Sequence, residues 1–211
     1  MTLEDPITYL NTDMDDRLKI NKYIINASGD DFYVPDNSHF YYHLLPGSKS
    51  LRVVPNSTHN GILSVAEHSL ITFVNRFQEE QRLPEIKEKV RPRRDGKKEL
   101  AVSFLEKPAV VLQWTARNPA ARDFRYACGI KYHAFPVSLT TDGSTLSVPL
   151  TTPDTGWQAT YIEATFNDGY VATTQVYITP DENYLETAPP SDGAACQTLP
   201  GRGLSPTPVT Q

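Results

Sequence analysis

Two short apolar runs near the start of the chain constrain its fold most strongly. Residues Lys22 to Ala27 read KYIINA and residues Ser50 to Val54 read SLRVV, and a polar, turn-prone stretch follows each run. Runs that contain β-branched residues and little alternation are typical of parallel strands that are buried on both faces. We therefore expect two parallel strands of one sheet.

Helical patterns follow both predicted strands. Asp36 or Asn37 can cap a short helix that ends at about Leu45, before Pro46 and Gly47. A longer helix after the second strand repeats apolar residues at helical spacing and so forms one apolar stripe: Leu70, Phe73, Val74 and Phe77. An order of strand, helix, strand and helix predicts an α/β architecture over residues 1–90.

Composition divides the rest of the chain into three segments. Residues 91–97 are basic and turn-rich, and we interpret them as a linker between domains. Residues 98–180 contain several short strand-like runs, two of which flank the hairpin signal Asn167-Asp168-Gly169. These runs predict a small β-sandwich of the immunoglobulin or fibronectin type. Residues 181–211 are rich in Pro and Gly, and we expect a disordered tail.

Charge and hydropathy exclude two classes of partner. The chain has 20 Lys and Arg against 25 Asp and Glu, which argues against a nucleic-acid surface. No run reaches the roughly 18 apolar residues of a membrane helix, and we expect no membrane partner. His39 and His43 have the spacing of a zinc pair but lack an evident third ligand, so we predict no metal and no cofactor. Cys128 and Cys196 are too few for a disulfide framework, although a bridge between them is possible.

Candidate catalytic side chains follow the two predicted parallel strands. Asp30 and Asp31 come after the first strand, and His59 comes after the second. Active sites of open parallel sheets lie outside the carboxyl ends of the strands, where loops from neighbouring strands meet. A carboxylate beside an imidazole can hold the ring in one tautomer and stabilise its charged form. The pattern therefore predicts an acid–histidine pair.

Five segments resemble the PhoPQ-activated pathogenicity-related protein family. They are Asp5 to Tyr23, Lys22 to Gly47, Leu51 to Gly61, Val111 to Tyr126 and Gly156 to Phe166. The resemblance implies the last strand–helix units of an α/β-hydrolase sheet, followed by a β-sandwich, in a largely secreted family.

By this resemblance Asp30 holds the position of the triad acid and His59 that of the triad base, with Asp31 as the alternative acid. No Gly-x-Ser-x-Gly elbow occurs in the chain, so it lacks the expected nucleophile. We therefore expect the chain to be part of a hydrolase of ester or peptide bonds and to be inactive by itself. Whether the protein is an enzyme stays open. The alternative is a non-catalytic, secreted binding or signalling protein that represses growth.

Localisation and partners follow from the same comparison. The family implies a secreted or extracellular protein, although the acidic N-terminal residues do not look like a signal peptide. Two strand–helix units leave a parallel sheet edge exposed, and such an edge invites association. We expect a protein partner to cover that edge.

Overall fold

The computed structural model describes residues 6–181. Ten strands and one α-helix, α1 (Leu63–Gln78), form the described part of the chain. The strands are β1 (Lys22–Ala27), β2 (Lys49–Val54), β3 (Ile86–Pro92), β4 (Lys98–Phe104), β5 (Val110–Asn118), β6 (His133–Pro136), β7 (Thr145–Leu150), β8 (Trp157–Thr165), β9 (Val171–Thr173) and β10 (Tyr177–Thr179). Short 3₁₀ turns join several of them: Pro6–Tyr9, Asp15–Lys19, Asn37–Phe40, Tyr42–Leu44, Asn60–Ile62 and Tyr126–Cys128.

The predicted α/β architecture is wrong for the described residues. β1 and β2 pair in parallel, but the chain between them forms only two 3₁₀ turns and no α-helix. The turns break at Tyr41, whose φ of −131° is not helical, and Pro46 follows soon after. After α1, every further strand pairs antiparallel, so residues 6–181 contain no alternating strand–helix pattern of the hydrolase kind.

Two antiparallel sheets pack face to face in the manner of a β-sandwich. One has the order β10-β8-β5-β6, with β9 also on β8, and the other has the order β3-β4-β7. Buried side chains alternate along β4 and β7, as expected for strands with one face in a core. The shared core contains Leu100 and Val102 of β4, Leu146 and Val148 of β7, and Ile162 of β8.

The second face of the larger sheet is covered by β1 and β2. Leu51 and Val53 of β2 share a core with Ala159 and Tyr161 of β8, whereas Ile162 points into the sandwich core. β8 is therefore buried on both faces. This packing fixes the carboxyl ends of β1 and β2 against the rest of the molecule.

A side chain closes the outer edge of β2. The Oγ1 atom of Thr173 accepts the backbone N–H of Val53 at 3.0 Å and contacts the carbonyl of Leu51 at 3.5 Å. β1 pairs only with β2 among the described strands, so its outer edge stays open.

Residues 93–97 form the turn of the β3–β4 hairpin, in which the N–H of Arg93 donates a hydrogen bond to the carbonyl of Lys97. The division of the chain at 91–97 stays a prediction, as do the other domain boundaries. The predicted tail lies outside the described residues, apart from Asp181. Cys128 is disulfide-bonded, and Cys196 lies outside the described residues.

Helix α1 is held to the β-sheets by a buried arginine. The guanidinium of Arg76 donates two hydrogen bonds to Glu106, at 2.8 and 2.9 Å, and one to Asp168 at 2.6 Å. It also lies over the rings of Phe166 and Tyr170. Burial opposes the charge, but the hydrogen bonds to the carboxylates raise the pKa of Arg76. A charged side chain of α1 thus faces the core.

Three of the four members of the predicted apolar stripe of α1 face away from the core. Phe73 packs against the core, but Leu70, Val74 and Phe77 are exposed. The helix turns its polar face inward, because Arg76 finds its acceptors there.

Candidate functional site

The turn after β1 fixes the Asp30 carboxylate. Oδ1 of Asp30 accepts the backbone N–H groups of Phe32 at 2.7 Å and Tyr33 at 3.2 Å. The preceding Gly29 donates its N–H to the carbonyl of Ser57 at 3.0 Å. A short side chain that accepts the N–H two residues ahead is the usual device of such a turn. One carboxylate oxygen is therefore occupied, and Oδ2 is left for another donor.

Gly29 allows the close approach on which this turn depends. A Cβ atom built on Gly29 would lie 2.7 Å from the backbone nitrogen of Tyr126 and 3.1 Å from the carbonyl oxygen of Ser57. Side chains do not tolerate such distances to backbone atoms without movement of the chain. Gly29 is thus a positioning residue. It lies between the loop that follows β2, at Ser57, and the loop before β6, at Tyr126.

The turn after β2 places His59 beside this carboxylate. Asn56 adopts a positive φ of 52°, a conformation that Asn tolerates better than most residues. Its side chain donates to the carbonyl of Tyr132 at 2.9 Å and accepts the N–H of Tyr132 at 2.7 Å. Its backbone N–H donates to Oγ of Ser28 at 2.9 Å. Asn56 therefore ties the His59 loop to the sandwich and to the end of β1.

The two predicted catalytic side chains meet. Nδ1 of His59 lies 2.9 Å from Oδ2 of Asp30. Because an ionised carboxylate only accepts hydrogen bonds, Nδ1 carries the proton and Nε2 keeps a free lone pair in the neutral ring. Asp30 is 7% exposed, whereas the His59 side chain is 40% exposed. The structure brings Asp30, and not the alternative Asp31, onto the imidazole.

Aromatic residues and a small cavity flank the pair. The ring of Phe32 lies 4.7 Å from that of His59, and the ring of Tyr33 lies 6.2 Å away. A cavity of about 130 Å³ opens beside them. Its lining is mostly apolar, with two amides: Ile25, Asn26, Ala27, Tyr33, Val34, Asn37 and Ile62, in addition to Asp30 and His59. The space suits a small apolar group held beside the imidazole.

The neighbouring hydroxyl groups serve other contacts. Ser57 is buried and donates to the carbonyl of Thr58 at 3.0 Å, and Ser28 accepts from Asn56. Within residues 6–181, the hydrogen bond found for the His59 ring is the one to Asp30. The described site therefore contains a hydrogen-bonded histidine–carboxylate pair, without a hydroxyl or thiol hydrogen-bonded to the histidine.

His39, one of the two histidines at zinc-pair spacing, makes a structural contact. Nε2 of His39 lies 2.8 Å from the carbonyl of Val176, and its ring meets the ring of Tyr177 edge-on. Residues 6–181 contain no group of three or more His, Cys, Asp and Glu side chains that could hold a metal ion. The same residues contain no helix that is both long and apolar enough to cross a bilayer.

Sequence reasoning missed the residues that position the pair. The turn signals around Gly29 and Asn56 were visible, but their contacts lie on Tyr126 and Tyr132, about a hundred residues and 76 residues further along the chain. Phe32 carried no signal at all, since an exposed aromatic residue in a loop has no periodic pattern.

The chain is similar to a curated protein and to a solved structure. The chain is 30% identical over 185 residues to autocrine proliferation repressor protein A of Dictyostelium discoideum, a match that covers 77% of this chain and 35% of that protein. The chain thus spans about a third of the length of this curated relative. A structural match to pectate lyase Pel3 of Pectobacterium carotovorum has a TM-score of 0.25 at 13% identity and covers 53% of this chain and 30% of the lyase.

The family comparison covers the acid–histidine pair. The sequence model of the PhoPQ-activated pathogenicity-related proteins matches residues 1–125, a span that includes β1, β2, α1 and both members of the acid–histidine pair. With more than half of its length matched, the chain belongs to the PhoPQ-activated pathogenicity-related protein family.

Proposed function

We propose that Asp30 and His59 are the acid–base half of a hydrolytic site that cleaves ester or peptide bonds. The observation that supports this proposal is the 2.9 Å contact between Nδ1 of His59 and Oδ2 of Asp30, which leaves Nε2 free to accept a proton. A positioned imidazole of this kind contributes about 10²–10⁴-fold to proton transfer. The small apolar cavity beside the ring gives a substrate group a place to bind.

Each side chain has one role in the proposed mechanism. Nε2 of His59 removes the proton of an attacking hydroxyl and later returns it to the leaving group. Asp30 holds the imidazole in the Nδ1–H tautomer and stabilises the imidazolium, while Phe32 and Tyr33 hold the carboxylate through their backbone N–H groups. The nucleophile and the oxyanion donors would come from polypeptide outside residues 6–181. That the whole family protein is a hydrolase is therefore part of the same proposal.

An external nucleophile tests the base without the missing hydroxyl. The full chain is mixed with ethanethiol and a p-nitrophenyl ester of a short acid, and release of p-nitrophenol is followed by absorbance. We expect the chain to accelerate thiolysis at least tenfold over His59→Ala, and Asp30→Asn to lose most of the gain. His133→Ala, which removes an exposed histidine of β6, is the matched control and should keep the rate.

Equal rates for the chain and for His59→Ala would refute the proposed role of the histidine. Equal losses in His59→Ala and His133→Ala would show that the reaction uses exposed imidazole in general, which also contradicts the proposal.

A second candidate function is binding without catalysis. The curated relative is named as a repressor of proliferation, and no hydroxyl or thiol hydrogen-bonds to His59 within residues 6–181. A secreted protein that acts by recognition would need the fold but not the imidazole. If the chain represses growth of cells to which it is added, His59→Ala should abolish repression under the hydrolytic proposal and retain it under the binding proposal. The secreted location itself is inferred from the family and is tested by detecting the protein in culture medium.

A further inference from the structure

The polarity of α1 is the reverse of that expected for a helix packed on a protein core. Its buried residues are Ser69, Thr72 and Arg76. A surface helix of a complete domain normally turns its apolar stripe to the core and its polar face to water. Four apolar residues of α1 instead form an exposed stripe at spacings of seven, four and three residues, which is one face of the helix: Leu63, Leu70, Val74 and Phe77.

The exposed stripe is large and lies open. Its four side chains are between 44% and 71% exposed, and Ile71 beside them is 51% exposed. Burial of such side chains away from water stabilises an assembly. Contiguous apolar patches of this kind mark surfaces that another element covers.

The open edge of β1 lies next to helix α1, which carries the stripe. Tyr23 of β1 stacks on Phe73 of α1, with ring centroids 6.0 Å apart. The N–H groups of Lys22 and Ser28 bond to the β2 side, so by alternation the backbone groups of Tyr23 and Ile25 point to the open side. An unpaired edge of apolar residues is a template for another strand.

We infer that the exposed stripe and the β1 edge form one interface for the part of the family polypeptide that this chain does not match. About two thirds of the curated relative lies outside the match, whereas the family match of residues 1–125 includes both features. The occupant needs a strand to pair with β1 and apolar side chains to cover α1, which together describe a folded protein segment.

The stripe fits a second copy of the chain less well. Glu67 lies within the stripe, four residues after Leu63. Two α1 helices that pack antiparallel about Leu70 would place Glu67 of one copy against Val74 of the other. A carboxylate buried against an apolar side chain is costly, because it loses water without gaining a partner. A distinct polypeptide can avoid that clash.

Co-expression tests the inferred interface. The full chain, with an affinity tag, is co-expressed with the unmatched part of the Dictyostelium relative. The molar mass of the purified material is then measured by light scattering after size-exclusion chromatography. We expect a one-to-one complex that Leu70→Glu weakens at least tenfold. Asn75→Glu adds the same charge to α1 at an exposed position off the stripe, and it should leave the complex intact. Circular dichroism of both variants establishes that each is folded.

Two other results would overturn the inference. A dimer of the chain that Leu70→Glu converts to a monomer would assign the stripe to a second copy. A monomer without complex, or a complex that Leu70→Glu leaves unchanged, would show that the stripe is not an interface for this segment.

Discussion

Replacement of Arg76 by methionine should destabilise the chain by about 3 kcal/mol. The guanidinium is 3% exposed and donates to Glu106, Asp168 and the carbonyl of Arg82. Removal of one partner from a buried ion pair usually costs about 3–5 kcal/mol. The lower end applies here, because Glu106 and Asp168 are 44% and 37% exposed and water can solvate them in the variant. Methionine keeps the apolar stem that packs on Phe166.

Urea and thermal unfolding measure the effect. At about 2–4 °C per kcal/mol for a chain of this size, Arg76→Met should lower Tm by roughly 6–12 °C. Arg82→Met removes an exposed guanidinium from the adjacent loop and should change stability by less than about 0.5 kcal/mol. A loss for Arg76→Met no larger than for Arg82→Met would refute the argument that this arginine anchors α1.

The same variant has a pH signature. Burial alone would raise the pKa of Asp168, but the hydrogen bond from Arg76 lowers it below the usual value. A carboxylate with a lowered folded pKa loses its stabilising contribution as pH falls through that folded pKa. Arg76→Met should therefore remove part of the acid-induced loss of stability, and an unchanged acid limb would contradict the assignment.

Three further predictions concern the interior and the candidate site. Burial raises the pKa of Glu88 from 4.5 to about 7, so the folded chain keeps this proton to a higher pH than the unfolded chain does. The free energy of unfolding should therefore fall as pH rises from 4.5 to about 7. Glu88→Gln should flatten this dependence on pH, while Glu85→Gln, at an exposed position, should keep it. In ¹⁵N NMR spectra the neutral His59 ring should be in the Nδ1–H tautomer, and Asp30→Asn should populate the Nε2–H form; a mixed tautomer in the parent chain would contradict the role of Asp30. Gly29→Ala should cost about 1–3 kcal/mol through overpacking and should mix the tautomers as Asp30→Asn does, and a spectrum identical to that of the parent would contradict its positioning role.

Local patterns predicted several of the strands. β1 occupies the six residues that its apolar run indicated, and β8 and β9 flank the Asn167-Asp168-Gly169 turn as an antiparallel pair. These features depend on residues that are close in sequence, where alternation and turn residues report directly on the backbone. The parallel pairing of β1 with β2 was also indicated, because both runs are apolar on two faces.

Long-range contacts explain what the sequence did not predict. Periodicity located the stripe of α1 but not the side that meets the core, because the acceptors of Arg76 lie 30 and 92 residues away. The predicted helix between β1 and β2 failed because Asp36 caps nothing and instead pairs with Arg122. The encounter of Asp30 with His59 followed from the parallel strand ends alone, and their catalytic role stays a prediction.

The threonine at the outer edge of β2 has a consequence for self-association. Thr173 occupies the backbone groups of Val53 and Leu51, so this sheet can be extended on the β1 side only. Growth into a fibre requires two free edges per chain, one to accept a strand and one to offer the next. Two chains that meet through β1 use up both free edges at once. Through this sheet, the end point of association is therefore a closed pair.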